Sequence, residues 1–242
     1  MPNPTAAILI IGDEILTGRT REGNAWFLAQ ELVKVGIDLR QIRVIGDDHA
    51  TIVAAVRELS AAHDQLFTSG GIGPTHDDIT ADAVADAFGR TIGVREDARA
   101  ILAAHYAARG LEFTEARLRM ARIPEGAALI DNPVSAAPGF SVGNCHVMAG
   151  VPNIFQAMVA GLLPRLTGGA PLLSRSLQLM VPEATIADAL RALAAAHPEA
   201  SFGSYPFVTE GRYGTNLVVR STDPAALEGA FAALQATFPE GQ

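Results

Sequence analysis

The chain has 242 residues, 49% hydrophobic and 18% charged, enough apolar material for a packed core and too little charge for a disordered polymer. Its formal net charge is −8 and Lys34 is its sole lysine, which argues against a broad cationic face for nucleic acid or anionic membrane. Cys145 is the only cysteine, so an intrachain disulfide and a cysteine zinc cluster are excluded.

The start, Met1-Pro2-Asn3-Pro4, has neither the basic opening nor the apolar core of a secretory signal, and no apolar run approaches the ~20 residues of a membrane span. The expected location is cytoplasmic. Ala6–Gly12 reads as a buried strand. A helix from about Gly23 to Val35 follows, with Trp26, Leu28, Ala29, Leu32 and Val33 expected on one face and Gly36 as its stop. Ile37–Ile45 is the second strand, Ala50–Ala62 the second helix and Gln65–Thr68 the third strand. A Gly/Pro loop then opens a third helix near Ile79–Phe88. This βαβαβα order predicts a mostly parallel sheet in a three-layer αβα domain spanning residues 1–167.

Two helices broken at Gly110 are expected within 95–120, then loops and short strands punctuated by Pro124, Pro133 and Pro138. A strand at Val147–Ala149 and a helix at Val151–Leu166 close the domain. Cys145 reads as a buried strand residue. Past Thr167-Gly168-Gly169-Ala170-Pro171, residues 172–242 read as a small α+β domain. Its strand 174–181, helix 183–196, strands 201–208 and 212–220 and helix 224–237 form a βαββα unit, a ferredoxin-like order lacking one edge strand. A unit of this size gains stability by docking or self-association, and four arginines against seven acidic residues leave it a net charge of only −3. The expectation is a homodimer. A second arrangement makes this unit a lid, with Tyr205, Phe207 or Tyr213 stacking on a base.

The chemistry concentrates in Thr68–Thr80, which runs strand, glycine loop, helix. Glycines let backbone approach an anion closely, and helix N-terminal amides add positive potential. The loop lacks the Lys-Ser/Thr of a Walker motif and the spacing of a dinucleotide fingerprint. Three acidic pairs fall at or just past the first three strand ends: Asp13-Glu14, Asp47-Asp48 and Asp77-Asp78. Each of Asp48 and Asp78 is either a helix cap or part of a ligand crevice at the carboxyl edge of the sheet. Carboxylates beside a phosphate cradle repel the ligand unless a cation lies between them. This predicts a divalent metal ion (Mg, Mn or Co) near Asp13, Glu14, Asp47 and Asp78. Backbone at Gly70, Gly71 and Gly73, with hydroxyls of Thr68, Ser69, Thr75 and Thr80, would hold the phosphate. His76 is either a ligand contact or a solvated turn residue. His49, at a helix start, and His63, His105 and His197, single on helices, are expected to be structural or solvated.

These residues resemble a known family. Gly12-Asp13-Glu14-Ile15-Leu16-x-Gly18, Asn24, Gly46-Asp47-Asp48 and Gly70–Thr80 are similar to the molybdopterin-binding domain of CinA-type competence/damage-inducible proteins. They are as similar to the molybdopterin-binding-like domain of eukaryotic FAD synthases. Asn132–Phe140, which adds Ser135 to the ligand set, and Gly150-Val151-Pro152 extend the match, and Gly203–Phe207 carries it more loosely into the tail. The resemblance implies binding of a pterin or nucleotide at the glycine loop. It also implies metal-dependent hydrolysis of a nucleotide pyrophosphate such as ADP-ribose or FAD, with Asp78 and Asp47 as the catalytic aspartates. The alternative is a binding or molybdenum-cofactor-handling protein without turnover. The chain departs from the CinA pattern where a Gln, a Pro and a Glu are usual, carrying Met120, Ala149 and Ile154. The nicotinamide-mononucleotide deamidase domain common in CinA proteins, and the FAD-synthase catalytic domain, are expected to be absent.

Overall fold

The computed structural model describes residues 2–239; Met1 and residues 240–242, the outer ends of the two expected domains, lie outside the described residues. The chain divides into two compact units between Gly169 and Ala170.

The first unit is built on β1 (Thr5–Ile11), flanked in parallel by β2 (Asp38–Ile45) and β3 (Gln65–Ser69). Next to β3 lies β8 (Cys145–Met148), also parallel. Then β7 (Gly139–Val142) and β6 (Ala128–Ile130) finish the sheet antiparallel, giving the order β2-β1-β3-β8-β7-β6. β4 (Ile92–Val94) and β5 (Arg122–Pro124) form a separate antiparallel pair.

The period-two alternation of β1 explains the layers. Ala6, Ile8 and Ile10 join one core with Ala25, Leu28 and Leu32 of α2 (Asn24–Lys34) and Phe155, Met158 and Val159 of α7 (Pro152–Leu162). Ala7, Leu9 and Ile11 join the opposite core with Ile52, Val56 and Leu59 of α3 (His49–Ala62) and Ala83 and Val84 of α4 (Thr80–Ala87). A strand clothed on both faces must be apolar where it is buried, as β1 is from Ala6 to Ile11. Each large aliphatic side chain buried here contributes roughly 1.5–3 kcal/mol.

Two expectations are corrected. On α2 the buried face is Asn24, Ala25, Leu28 and Leu32, whereas Trp26 is 67% and Val33 40% exposed. Trp26 and Leu28 are two residues apart and point to opposite sides of a helix, so the face of Leu28 and Leu32 leaves Trp26 outside. The buried Asn24 amide anchors that face, donating to Ser69 Oγ and Gly150 O, both at 2.8 Å. The helix expected to Leu166 ends at Leu162 and tightens into a 3-10 turn, Leu163–Arg165, where Pro164 offers no amide to continue the ladder. α5 (Glu96–Ala107) and the single turn α6 (Glu115–Leu118) flank Gly110, with α1 (Asp13–Leu16) a single turn after β1. Cys145 is buried in β8 and its thiol is pushed up by burial.

The second unit runs β9 (Leu173–Leu179), α8 (Glu183–Ala196), β10 (Ser201–Thr209), β11 (Arg212–Ser221) and α9 (Pro224–Thr237). Its antiparallel sheet has the order β10-β11-β9, and Leu177, Leu217, Val219, Leu227 and Leu234 form its own core. Among the described residues no helix is long and apolar enough to cross a membrane.

Candidate functional site

Strands β2, β1, β3 and β8 point their carboxyl ends to one edge of the sheet, and the chain switches sides between β1 and β3. Ligands of open α/β sheets bind at such a switch point. There the loops after β1 and β3 touch. Gly70 has φ +111° and a side chain on it would lie 2.1 Å from Ile11 O, so only glycine fits. Gly71 has φ +68°, with a hypothetical Cβ 2.1 Å from Thr80 Oγ1.

The glycine loop divides its amides unevenly. Gly70 N donates to Met148 O at 3.1 Å, so it is spent on the sheet. The amides of Gly71, Ile72 and Gly73 donate to nothing among the described residues. Successive free amides of this kind make a concavity for an anion.

Asp78 closes the loop. Its Oδ2 accepts from Thr75 N at 2.8 Å and Thr75 Oγ1 at 2.5 Å, while the N-cap position of α4 belongs to Ile79. A Cβ on Gly73 would fall 2.7 Å from that same oxygen, which explains glycine there. Asp78 is thus a loop organiser rather than a helix cap, and the Thr75 hydroxyl is committed to it. Asp48 is the cap of α3, accepting from Thr51 N at 2.9 Å and Thr51 Oγ1 at 2.6 Å.

The acidic residues converge in part. Asp47 Oδ2 accepts from Asp13 N at 3.0 Å. Desolvation raises the Asp47 carboxyl above the ordinary range, the Asp13 amide opposes this, and the charges of Asp13, Glu14 and Asp77 raise it further. Asp13, Glu14, Asp47 and Asp77 therefore share one electrostatic neighbourhood. Among the described residues, no group of three or more His, Cys, Asp or Glu side chains is arranged to hold a metal ion unaided.

Between these loops lies a cleft of about 500 Å³, lined by Glu14, Asp47, Asp77 and Asp78 beside Gly70, Gly71 and Gly73. Its apolar wall includes Ile72, Met120, Ala149, Val151 and Ile154. The Met, Ala and Ile that depart from the CinA pattern thus all face the ligand space. Ser135 lines the cleft within a turn organised by Asn132, whose Oδ1 accepts from Val134 N at 3.1 Å and Ser135 N at 3.0 Å. Asn132 Nδ2 donates to Ser135 Oγ at 2.7 Å. Thr68, Ser69 and Thr80 are buried behind the loop, where the hydroxyls of Thr68 and Thr80 have no partner and Ser69 accepts from Asn24. The His76 side chain is 99% exposed, 3.9 Å from Asp77.

Asn132 was not recognisable as an organiser from residue type alone, although Asn before Pro is a turn signal. His146, inside an apolar run, likewise carries no sequence signal of its role. It is buried in β8 with its ring nitrogens 2.8 Å from Ser141 Oγ and 2.7 Å from Gln65 Oε1, and burial lowers its pKa to about 4.

Comparison with known proteins agrees with this architecture. The family described as "Probable molybdopterin binding domain" matches residues 7–168, and the "FAD synthase, middle domain" family matches 171–242. A CinA-like protein of Desulfosudis oleivorans is 37% identical over 82% of this chain, which spans 51% of that protein. A protein of Pyrobaculum calidifontis is 37% identical over 84% of this chain and 81% of its own. The solved structure of the protein CinA with unknown function from Thermoplasma acidophilum superposes with a TM-score of 0.61 at 35% identity, covering 66% of this chain and 98% of that one. Residues 7–168 place the chain in the molybdopterin-binding-domain family, among its CinA-like members, joined to a unit of the FAD synthase middle-domain family.

Proposed function

We propose that this protein is a divalent-metal-dependent pyrophosphatase acting on a nucleotide diphosphate compound of the ADP-ribose or FAD type. The observation that carries the reading is that the amides of Gly71–Gly73, without partners among the described residues, share one cleft with Glu14, Asp47, Asp77 and Asp78. Amides call for an anion and carboxylates for a cation; a metal-bound pyrophosphate supplies both. The printed names of the two matched families, a molybdopterin-binding domain and part of an FAD synthase, support a ligand with a fused ring system and phosphate.

The carboxylates fit a hard cation shared with the ligand's phosphate oxygens, the usual manner for Mg²⁺, better than a cage built by protein alone. Once bound, such an ion supplies charge neutralisation and lowers the pKa of a water it holds. The chain's own residues then have distinct tasks. The amides of Gly71–Gly73 position the phosphate. Asp47 and Asp78, assisted by Asp13 and Glu14, hold the cation and orient water. Ile72, Met120 and Ile154 exclude solvent along one wall and accept the face of a ring.

The test is incubation with ADP-ribose and with FAD under Mg²⁺, Mn²⁺ and Co²⁺, with AMP as the product followed. Release that needs metal supports the reading, and no release with any of the three ions refutes it. One observation favours a second reading, a pterin- or nucleotide-binding protein without turnover: no three-ligand metal cluster exists among the described residues. Calorimetry without metal separates the two, because tight binding with no hydrolysis belongs to the second alone.

A further inference from the structure

The stretch from α6 to β5 carries three arginines, and two are occupied. Arg117 donates through Nη1 to Glu112 O and lies over the Tyr106 ring, 4.3 Å from its centre. Arg122 Nη2 pairs with Asp82 Oδ1 at 2.5 Å. Between them Arg119, at the start of the 3-10 turn Arg119–Ala121, makes no side-chain hydrogen bond or ion pair among the described residues. Its Nε is buried with no partner.

A partly buried guanidinium with no acceptor is costly, and the cost is recovered when an anion arrives. Arg119 lines a notch of about 20 Å³ together with Ile72, Gly73, Asp78 and Met120, all four of which also line the main cleft. The notch opens onto the glycine loop, and its volume admits one water-sized group rather than a ring. The two carboxylates in it are engaged elsewhere: Asp82 with Arg122, and Asp78 Oδ2 with Thr75. Arg119 is the uncommitted charge.

We infer that Arg119 forms a second, cationic subsite of the cleft, one that grips an oxygen of a phosphate whose other oxygens rest on the Gly71–Gly73 amides. Guanidinium suits this task because its planar fork matches phosphate geometry. The choice of phosphate rests on the proposed function, and it adds a binding determinant that the carboxylate set lacks.

The probe is inorganic pyrophosphate with Mg²⁺ present, at low ionic strength, so that the cleft carboxylates do not repel it. We expect calorimetry to show binding by the unaltered protein, at least tenfold weaker binding by Arg119→Gln, intermediate binding by Arg119→Lys, which keeps the charge without the fork, and no change with Arg117→Gln. Pyrophosphate binding unaffected by Arg119→Gln, or no binding by the parent protein, overturns the inference. Should Arg119→Gln fail to fold, the side-chain Nε–H resonance of Arg119 in the parent decides, since it must shift on adding pyrophosphate and an unmoved signal overturns the inference. Arg119-dependent pyrophosphate binding without any AMP release from ADP-ribose or FAD would keep the subsite and remove only the hydrolytic reading.

Discussion

The Asp47 carboxylate accepts the Asp13 amide at 3.0 Å, joining the loop after β2 to the loop after β1 at the mouth of the cleft. One oxygen therefore has a structural duty, while the group as a whole feels the charges of Asp13, Glu14 and Asp77. The two duties separate by substitution. We predict that Asp47→Asn, which keeps an acceptor for the Asp13 amide, leaves the denaturant midpoint close to that of the parent while AMP release falls at least about 100-fold. Asp47→Ala should lose activity equally and about 1–2 kcal/mol of stability in addition.

Glycine is required at Gly70 for a reason that does not apply at every positive-φ glycine. Gly70→Ala sets a Cβ against Ile11 O at 2.1 Å, whereas the same change at Gly18, φ +71°, meets nothing within 4 Å. Urea denaturation should show Gly70→Ala destabilised by about 3 kcal/mol or more and Gly18→Ala by about 1 kcal/mol. Similar costs at the two sites would mean the β1–β3 loop contact is not tight.

His146 makes a pH prediction with a definite sign. Its ordinary pKa near 6.5 falls to about 4 in the fold, so the unfolded chain binds the proton more readily between those values. Stability from this group is complete above about pH 6.5 and is lost as pH falls from there toward 4, by about 3 kcal/mol in all. Urea midpoints at pH 7 and pH 4.5 should therefore differ by clearly more in the parent than in His146→Gln, which keeps polar contacts without titrating.

The sheet was legible because β1 is apolar at every position from Ala6 to Ile11, which only a strand covered on both faces tolerates. The glycine loop was legible because its residue types follow from local backbone need. What lay beyond the sequence was which partner each polar group finds. Asp48 and Asp78 look alike as residues before helices, yet one caps α3 and the other binds Thr75 within the loop. Trp26 and Leu28, expected on one face, are two residues apart and so lie on opposite sides of α2. The period joins Leu28 to Ala25 and Leu32, and the bonds of Asn24 to Ser69 and Gly150 hold that face inward. Arg119 is notable only by what it lacks, which no sequence displays.

On the second unit, Tyr205, Val208 and Tyr213 are exposed on the β10–β11 hairpin. Apolar surface of this kind is commonly covered by association. We predict a homodimer, and light scattering at tens of micromolar should return twice the chain mass. A monomer at that concentration contradicts this.

In the proposed reaction Asp78 and its glycine loop perform metal-dependent hydrolysis. The most direct measurement compares AMP release from ADP-ribose and FAD by the parent and by Asp78→Asn, which retains an acceptor for Thr75, under the preferred ion. We expect metal-dependent release by the parent, a loss of at least about 100-fold in kcat for the variant, and nucleotide affinity within a few-fold. Equal release by Asp78→Asn, or none by the parent with any ion, would contradict it.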